Sequence, residues 1–442
     1  MITSSTIAII VTIITMVLFF MNRLPMSVVA CISALAMGIL IPEMSLSQIY
    51  SGFGSSSVVM VAGMCIVGDA LFQTGVAQKI GIKIAGTSIA KNERLFIVAL
   101  VIICTIMSAF LSNSGTIAMW MPIIASIAAG SKGNIRSKMV IFPAGIACIV
   151  GGACTLVGSV SQVTANSILV GYKGYEDGLS LFEMSKVMVP VAIIQVIFWG
   201  TAGYSLLKRT LKPESPDFDK NNVFANPAYS SLDTADSIPA WKGRLSLVVL
   251  LACIAGFILS GFAPFKSYLN IANVALLGAT ILFTTGCIPT KKTLAALPWD
   301  VLICIGAINA LGIGLDVSGG GTIIAECILN LVGGESASLI VLTVIIVVLS
   351  SVLTLFMQNV SVAAILSPIC ISMALDLGIS PIPWVALIAI GTNMAIATPI
   401  GTAVNMQILP AGYTFKDFVK IGGPLFVVLV AAVCVFSILI YF

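Results

Sequence analysis

Residues 110–123 read FLSNSGTIAMWMPI and residues 356–369 read FMQNVSVAAILSPI. In both, a phenylalanine precedes a short polar tripeptide centred on asparagine, and a proline follows that asparagine nine residues later: Phe110, Asn113 and Pro122 against Phe356, Asn359 and Pro368. The match continues in the same order down the chain. Thr155, Gly158, Ser159 and Gln162 align with Thr398, Gly401, Thr402 and Asn405, and Lys186 with Pro190 aligns with Lys420 with Pro424. Offsets of about 243 residues (246, 243 and 234 for the three sets) relate them, so the second half of the 442-residue chain copies the first.

The copied unit belongs in a bilayer. The chain is 59% hydrophobic and 9% charged, too little polar surface to cover a water-soluble globule. Apolar runs at 3–21, 26–42, 56–75, 184–207, 246–262, 269–287, 298–316 and 420–442 are each about long enough to cross ~30 Å of hydrocarbon. The first run lacks a preceding basic residue and a small-residue cleavage pattern, so it reads as a retained span. The 11 cysteines are scattered singly through apolar runs, as small core residues and not as a redox or metal framework. No separate soluble domain and no nucleic-acid-binding feature is expected.

The Asn-centred pair returns the chain to the side it left, whether it forms a re-entrant hairpin or two full crossings. Each repeat then crosses an odd number of times, and the second copy is inverted. The expected organisation is a first repeat over 1–208, a linker over 209–243 and a second repeat over 244–442. With both termini outside, 18 of the 21 basic residues fall on the cytoplasmic side, leaving Lys173, Lys186 and Lys266 outside. The linker, with Pro213, Pro216, Asp217, Asn221, Asn222, Pro227 and Asp233, reads as a cytoplasmic connection.

Interrupted helices at membrane depth are tolerated only where protein or a wet cavity satisfies their backbone. Ser112 to Thr116 form an uncharged polar break after an apolar arm over 95–111, with a new helix expected near Ile117. Gly151 to Gln162 and Ala397 to Asn405 form a second pair of breaks. Helix N-termini with free N–H groups suit an anion, while carbonyls and hydroxyl and amide oxygens suit a hard cation such as Na+. Small residues also serve ordinary helix packing in membranes. The pairing of the breaks by symmetry favours a site. Ionisable residues within spans are Asp69, Asp316 and Glu326, with Asp69 the deepest.

These motifs resemble the divalent-anion:sodium symporter family, which includes bacterial dicarboxylate and sulfate carriers. Ser112-Asn113-Ser114 and Gln358-Asn359-Val360 stand where that family carries Ser-Asn-Thr hairpin tips, and Ser108 and Thr354 stand one turn earlier. Gly401-Thr402 and the tail from Gly412 to Pro424 are similar to its closing segment. The resemblance implies an all-α polytopic plasma-membrane protein of two inverted repeats, each with a re-entrant hairpin and a broken helix. It also implies a homodimer in which a transport domain moves like an elevator against a scaffold. On this reading Asn113, Ser114, Ser159, Asn359, Val360 and Thr402 surround a small anionic substrate. Ser108, Ser112, Asn113, Gly158, Thr354, Gln358, Asn359 and Gly401 ligate Na+. Val360 and Gln358 depart from the pattern. A lost hydroxyl facing an anion is worth about 1–3 kcal/mol, enough to change the preferred substrate.

Na+-coupled symport of a small divalent anion follows as the expected function, a C4-dicarboxylate first and sulfate or a related oxyanion second. Cations bind first because an unpaired dianion at mid-membrane is costly. Na+-independent anion exchange on the same fold is the alternative. With no histidine in the chain and no HExxH or Gly-x-Gly-Asp pair, the common intramembrane hydrolase routes are missing. A channel would need a charged ring or carbonyl filter sequence that the breaks do not supply.

Overall fold

A computed structural model describes residues 3–21, 23–76, 92–131, 133–215, 218–219, 222, 239–260, 270–324, 338–399 and 401–441. The described residues are helical, without strands. The first half contains α1 (Ser4–Met21), α2 (Met26–Leu40), α3 (Ser56–Gln73), α4 (Glu93–Ser108), α5 (Asn113–Gly130), α6 (Ser137–Gly152), α7 (Val160–Val170), α8 (Ser185–Gly200) and α9 (Ala202–Leu211). The second contains α10 (Ala240–Ser260), α11 (Ile271–Thr284), α12 (Trp299–Val317), α13 (Leu339–Leu353), α14 (Asn359–Asp376), α15 (Ile382–Thr392), α16 (Ala403–Ile408) and α17 (Gly423–Tyr441). Among the described residues, five helical stretches are long and apolar enough to cross a membrane: Leu46–Gln73, Ala240–Ser260, Trp299–Val317, Asn359–Asp376 and Phe415–Tyr441.

Local chemistry starts these helices where they start. Asn92 caps α4 by accepting from the Arg94 and Leu95 amides, Ser112 caps α5 through Gly115, and Asn270 caps α11 through Ala272. Thr402 does the same for α16 through Asn405. Burial then sorts the helices into two kinds. Every residue of α6 is buried, and α7, α14 and α15 are nearly so, as expected of helices that are apolar all round and enclosed by others. By contrast α1, α2, α10, α13 and α17 leave Ile13, Leu35, Leu251, Leu349 and Val427 exposed, side chains suited to lipid.

Packing between the halves is reciprocal. Within each half, α4 lies on α6 as α13 lies on α15, and α8 contacts α4 as α17 contacts α13. Across the halves, α2 packs on α12 while α3 packs on α11, and α7 packs on α14 while α16 packs on α5. Two single hydrogen bonds repeat the same pattern: Thr155 Oγ1 donates to the Ala109 carbonyl, and Thr398 Oγ1 donates to that of Leu355 at 2.6 Å.

Several expected boundaries move. The helix after the first break begins at Asn113 and not near Ile117, because Ser112 satisfies the Gly115 amide and closes the first turn early. The first broken helix ends at Gly152 and restarts at Val160, so Gln162 is helical. In the second half the break opens earlier, after Thr392 instead of at Ala397. The run 184–207 is not straight: α8 and α9 meet at 52°. Most of the 209–243 linker, Glu326, and Lys79, Lys83, Lys91, Lys132 and Lys266 lie outside the described residues, while helix α9 extends to Leu211 and α10 begins at Ala240.

A buried ion pair ties the base of the first hairpin together. The Glu93 carboxylate, 4% exposed, accepts from the Arg136 backbone at 3.0 Å, from Arg136 Nε at 3.1 Å and Nη2 at 2.9 Å, and from the Tyr204 hydroxyl at 3.1 Å. Removing Glu93 leaves Arg136, 23% exposed and 3.6 Å from Glu214, without its main hydrogen-bond partner, so Glu93→Ala is expected to destabilise the fold by about 1–3 kcal/mol. The measurement is the midpoint of thermal loss of monodispersity in detergent. An unchanged midpoint would show that the pair carries no such weight.

Candidate functional site

The breaks of both halves open onto one cavity of about 530 Å³. Four helices begin at its wall: α5 with Asn113, Ser114 and Gly115, α7 with Val160 and Ser161, α14 with Asn359 and Val360, and the short α16 with Ala403 and Val404. The substrate set read from sequence, Asn113, Ser114, Ser159, Asn359, Val360 and Thr402, lies on this wall. So do Ser112, Gly158, Gln358 and Gly401. Ser108 and Thr354 are fully buried and do not line it; each stands behind its asparagine.

That backing arrangement is the same in both halves. Ser108 Oγ lies 2.7 Å from Asn113 Oδ1 and 2.7 Å from the Cys148 carbonyl oxygen. Thr354 Oγ1 lies 2.7 Å from Asn359 Oδ1 and 2.8 Å from the Thr392 carbonyl oxygen. In the first half the Gly158 carbonyl joins the group: the inward atom of the Asn113 amide sits 3.0 Å from Gly158 O, 3.1 Å from Cys148 O and 2.7 Å from Ser108 Oγ. An amide nitrogen at that position has three acceptors within reach for its two N–H groups. An oxygen there faces only oxygens apart from the single hydroxyl proton of Ser108, and such a cluster is stable around a hard cation.

The glycines of the breaks permit this convergence. A Cβ on Gly158 would lie 2.6 Å from the Gly152 carbonyl oxygen and 3.0 Å from that of Ala109. One on Gly401 would overlap the Thr354 carbonyl and come 2.6 Å from the Ala395 Cβ. Backbone therefore approaches backbone where each broken helix meets the tip of its hairpin. The closing segment braces the assembly from behind: the buried Tyr413 hydroxyl accepts from the Phe142 amide at 3.0 Å and donates to the Lys138 carbonyl.

The rest of the wall is largely apolar, including Met60, Met64, Phe72, Phe110 and Val157. Among the described residues, the lining contains no lysine or arginine and one acid, Asp69. Asp316 stands apart, exposed at the end of α12 beside a small pocket with Ser372 and Asp376. Sequence reasoning missed the Cys148 and Thr392 carbonyls, since a backbone oxygen has no residue-type signature. It also missed the bonds of Thr155 and Thr398, although the repeat alignment had already placed those two threonines opposite each other.

Comparison with known proteins gives the family. The sequence profile of a family described as "Citrate transporter" matches residues 16–389 and 344–442. The chain is 21% identical to the Escherichia coli transporter YfbS, over 95% of this chain and 96% of that protein. It is 22% identical to the sodium-dependent dicarboxylate transporter SdcS of Staphylococcus saprophyticus, over 89% of this chain and 78% of that one. The fold is similar to the crystal structure of the Alcanivorax borkumensis YdaH transporter, with a TM-score of 0.60 at 15% identity, covering 97% and 98% of the two chains. The chain therefore belongs to the citrate transporter family, among the divalent-anion:sodium symporters that its hairpin motifs resemble, and is an integral membrane transporter and not an enzyme.

Proposed function

We propose that the chain carries out Na+-coupled symport of a small divalent organic anion, with a C4-dicarboxylate as the first candidate. The observation that carries this reading is the convergence of the Ser108, Asn113, Cys148 and Gly158 oxygens at the wall of the shared cavity. Without a cation, the Asn113 amide turns its nitrogen inward, and its two N–H groups are shared among these oxygens. With Na+, it turns its oxygen inward and becomes a ligand. Thr354, Asn359 and Thr392 O supply a second, similar group. Ser112, Gln358 and Gly401 complete the two shells. The N-termini of α5, α7 and α14 then face the anion, with Ser114, Ser159 and Thr402 as donors and Asn113 and Asn359 in contact with it.

Cavity size and lining favour a carbon skeleton over a bare oxyanion. About 530 Å³ with thioether, phenyl and valine walls exceeds what sulfate fills and matches small-molecule sites. Val360, opposite the hydroxyl of Ser114 in the repeat, leaves the second hemisphere with fewer donors. Reported dependence on sodium in the relative SdcS points the same way.

The finer architecture forms part of this reading: inverted repeats over 1–208 and 244–442 joined by 209–243, termini outside, and a homodimer. Hairpins and broken helices would move as an elevator against α1–α3 and α10–α12. The reciprocal helix packing supports the repeats. The test is uptake of radiolabelled succinate and of sulfate into proteoliposomes, with and without an inward Na+ gradient. Na+-driven succinate uptake is expected. Uptake that ignores Na+ and needs internal anion would make the protein an exchanger, and sulfate uptake alone would overturn the organic substrate.

A further inference from the structure

Asp69 is an anomaly in a cavity meant for anions. It sits on α3, four residues before Gln73, and among the described residues is the sole carboxylate or amine lining the cavity. Its Oδ2 accepts from Gln73 Nε2, and the same amide donates to Thr293 Oγ1 at 3.1 Å, across to the short helix Thr290–Ala295 of the second half. Gln73 thus spends both its N–H groups in clamping this carboxylate and the buried Thr293. Oδ1 of Asp69 has no hydrogen-bond partner among the described residues. A half-buried carboxylate held rigid by one oxygen, with the other unpaired at the wall of a cavity, is arranged to meet a cation.

A fixed negative charge would repel an approaching dianion through low-dielectric walls, and nothing basic in the lining offsets it. The same field concentrates monovalent cations in the cavity. Resting on the Na+-symport reading, we propose that Asp69 is the cation-holding carboxylate of the cavity. Its Oδ1 takes up Na+ ahead of the anion, and the paired charge no longer excludes the substrate. Ordered binding, cation first, is then a property of this one side chain in addition to the two oxygen clusters. Cys65, Gly68 and Phe72 of α3 and Thr293, Ala296 and Leu297 opposite bring no competing charge to it.

The experiment measures binding of 22Na+ to the purified full chain in lipid nanodiscs with no anion present, for wild type, Asp69→Asn and Asp69→Glu. Asn keeps an acceptor for Gln73 and removes only the charge. Apparent Na+ affinity is expected to fall about tenfold in Asp69→Asn and to stay within about twofold of wild type in Asp69→Glu. Raising choline chloride from about 0.05 M to about 0.5 M is expected to narrow the gap between wild type and Asp69→Asn, a response that loss of a packing contact would not produce. Equal affinity in wild type and Asp69→Asn, or a gap indifferent to ionic strength, would overturn the assignment. A wild-type chain that binds no Na+ would instead sink the symport reading on which it rests.

Discussion

Asn113→Ala is expected to lower Na+-driven succinate uptake by roughly 100-fold or more and to abolish the cation binding that remains in Asp69→Asn. On the proposed reading Asn113, like Asn359 in the second half, belongs to a cation group and to the substrate wall: its amide faces Ser108, Cys148 O and Gly158 O, and its residue lines the cavity at the start of α5. Removing it deletes a cation ligand and a substrate contact together. Each interaction with a charged partner is worth about 1.5–3 kcal/mol, and every 1.4 kcal/mol is tenfold in affinity. Initial rates in proteoliposomes and 22Na+ binding to purified protein check the two halves of the claim separately. Uptake within tenfold of wild type would remove Asn113 from the site.

The second large effect comes from a residue that makes no polar contact. A methyl group on Gly152 would overlap the Asn113 amide oxygen and lie 2.6 Å from its Nδ2. Gly152→Ala should therefore push the Asn113 amide out of the cluster and reproduce the loss of Na+ binding seen in Asn113→Ala. Its clash is with a side chain that can rotate away, so the thermal midpoint should change little. Its neighbour behaves oppositely. A Cβ on Gly151 would overlap the Thr105 carbonyl and come 2.7 Å from the Thr105 Cα, and backbone in a packed helix pair cannot yield. Gly151→Ala should fold poorly. Finding normal Na+ binding in well-folded Gly152→Ala would show that the amide tolerates displacement.

Much of the site was legible because its signals are local. An asparagine beside hydroxyl or amide residues (Ser112 and Ser114 in the first half, Gln358 in the second) between two apolar arms marks a helix break in a medium without water, and its recurrence with a matched proline marks both tips. Ser108 and Thr354 were reachable by counting one turn back from each asparagine. Helix starts were read less well: Asn113 opens α5 because Ser112 caps it, a hydrogen bond that outweighed the Gly and Thr that suggested a longer break. The second broken helix ended four residues sooner than its motif suggested. Asn393 lies after the last helical residue, and its amide nitrogen donates to Ser161 Oγ of the other half at 3.0 Å, a contact with no trace in the local sequence.

Composition, hydrophobic run length and the recurrence of the Asn and Gly motifs by themselves determined that this chain lives in a membrane, carries the same motifs twice in the same order, and interrupts its apolar runs at four places. These are properties of short segments in a known solvent, and they hold wherever the segments end up. Tertiary structure alone decided that the four breaks share one cavity, that the Cys148 and Thr392 carbonyls accept from Ser108 and Thr354 behind its wall, and that Asp69 faces into it while Asp316 does not. Those outcomes depend on which helix lies against which, set by close packing over contacts more than two hundred residues apart in the chain, and a side chain's solvent or ligand is fixed only once its neighbours are in place.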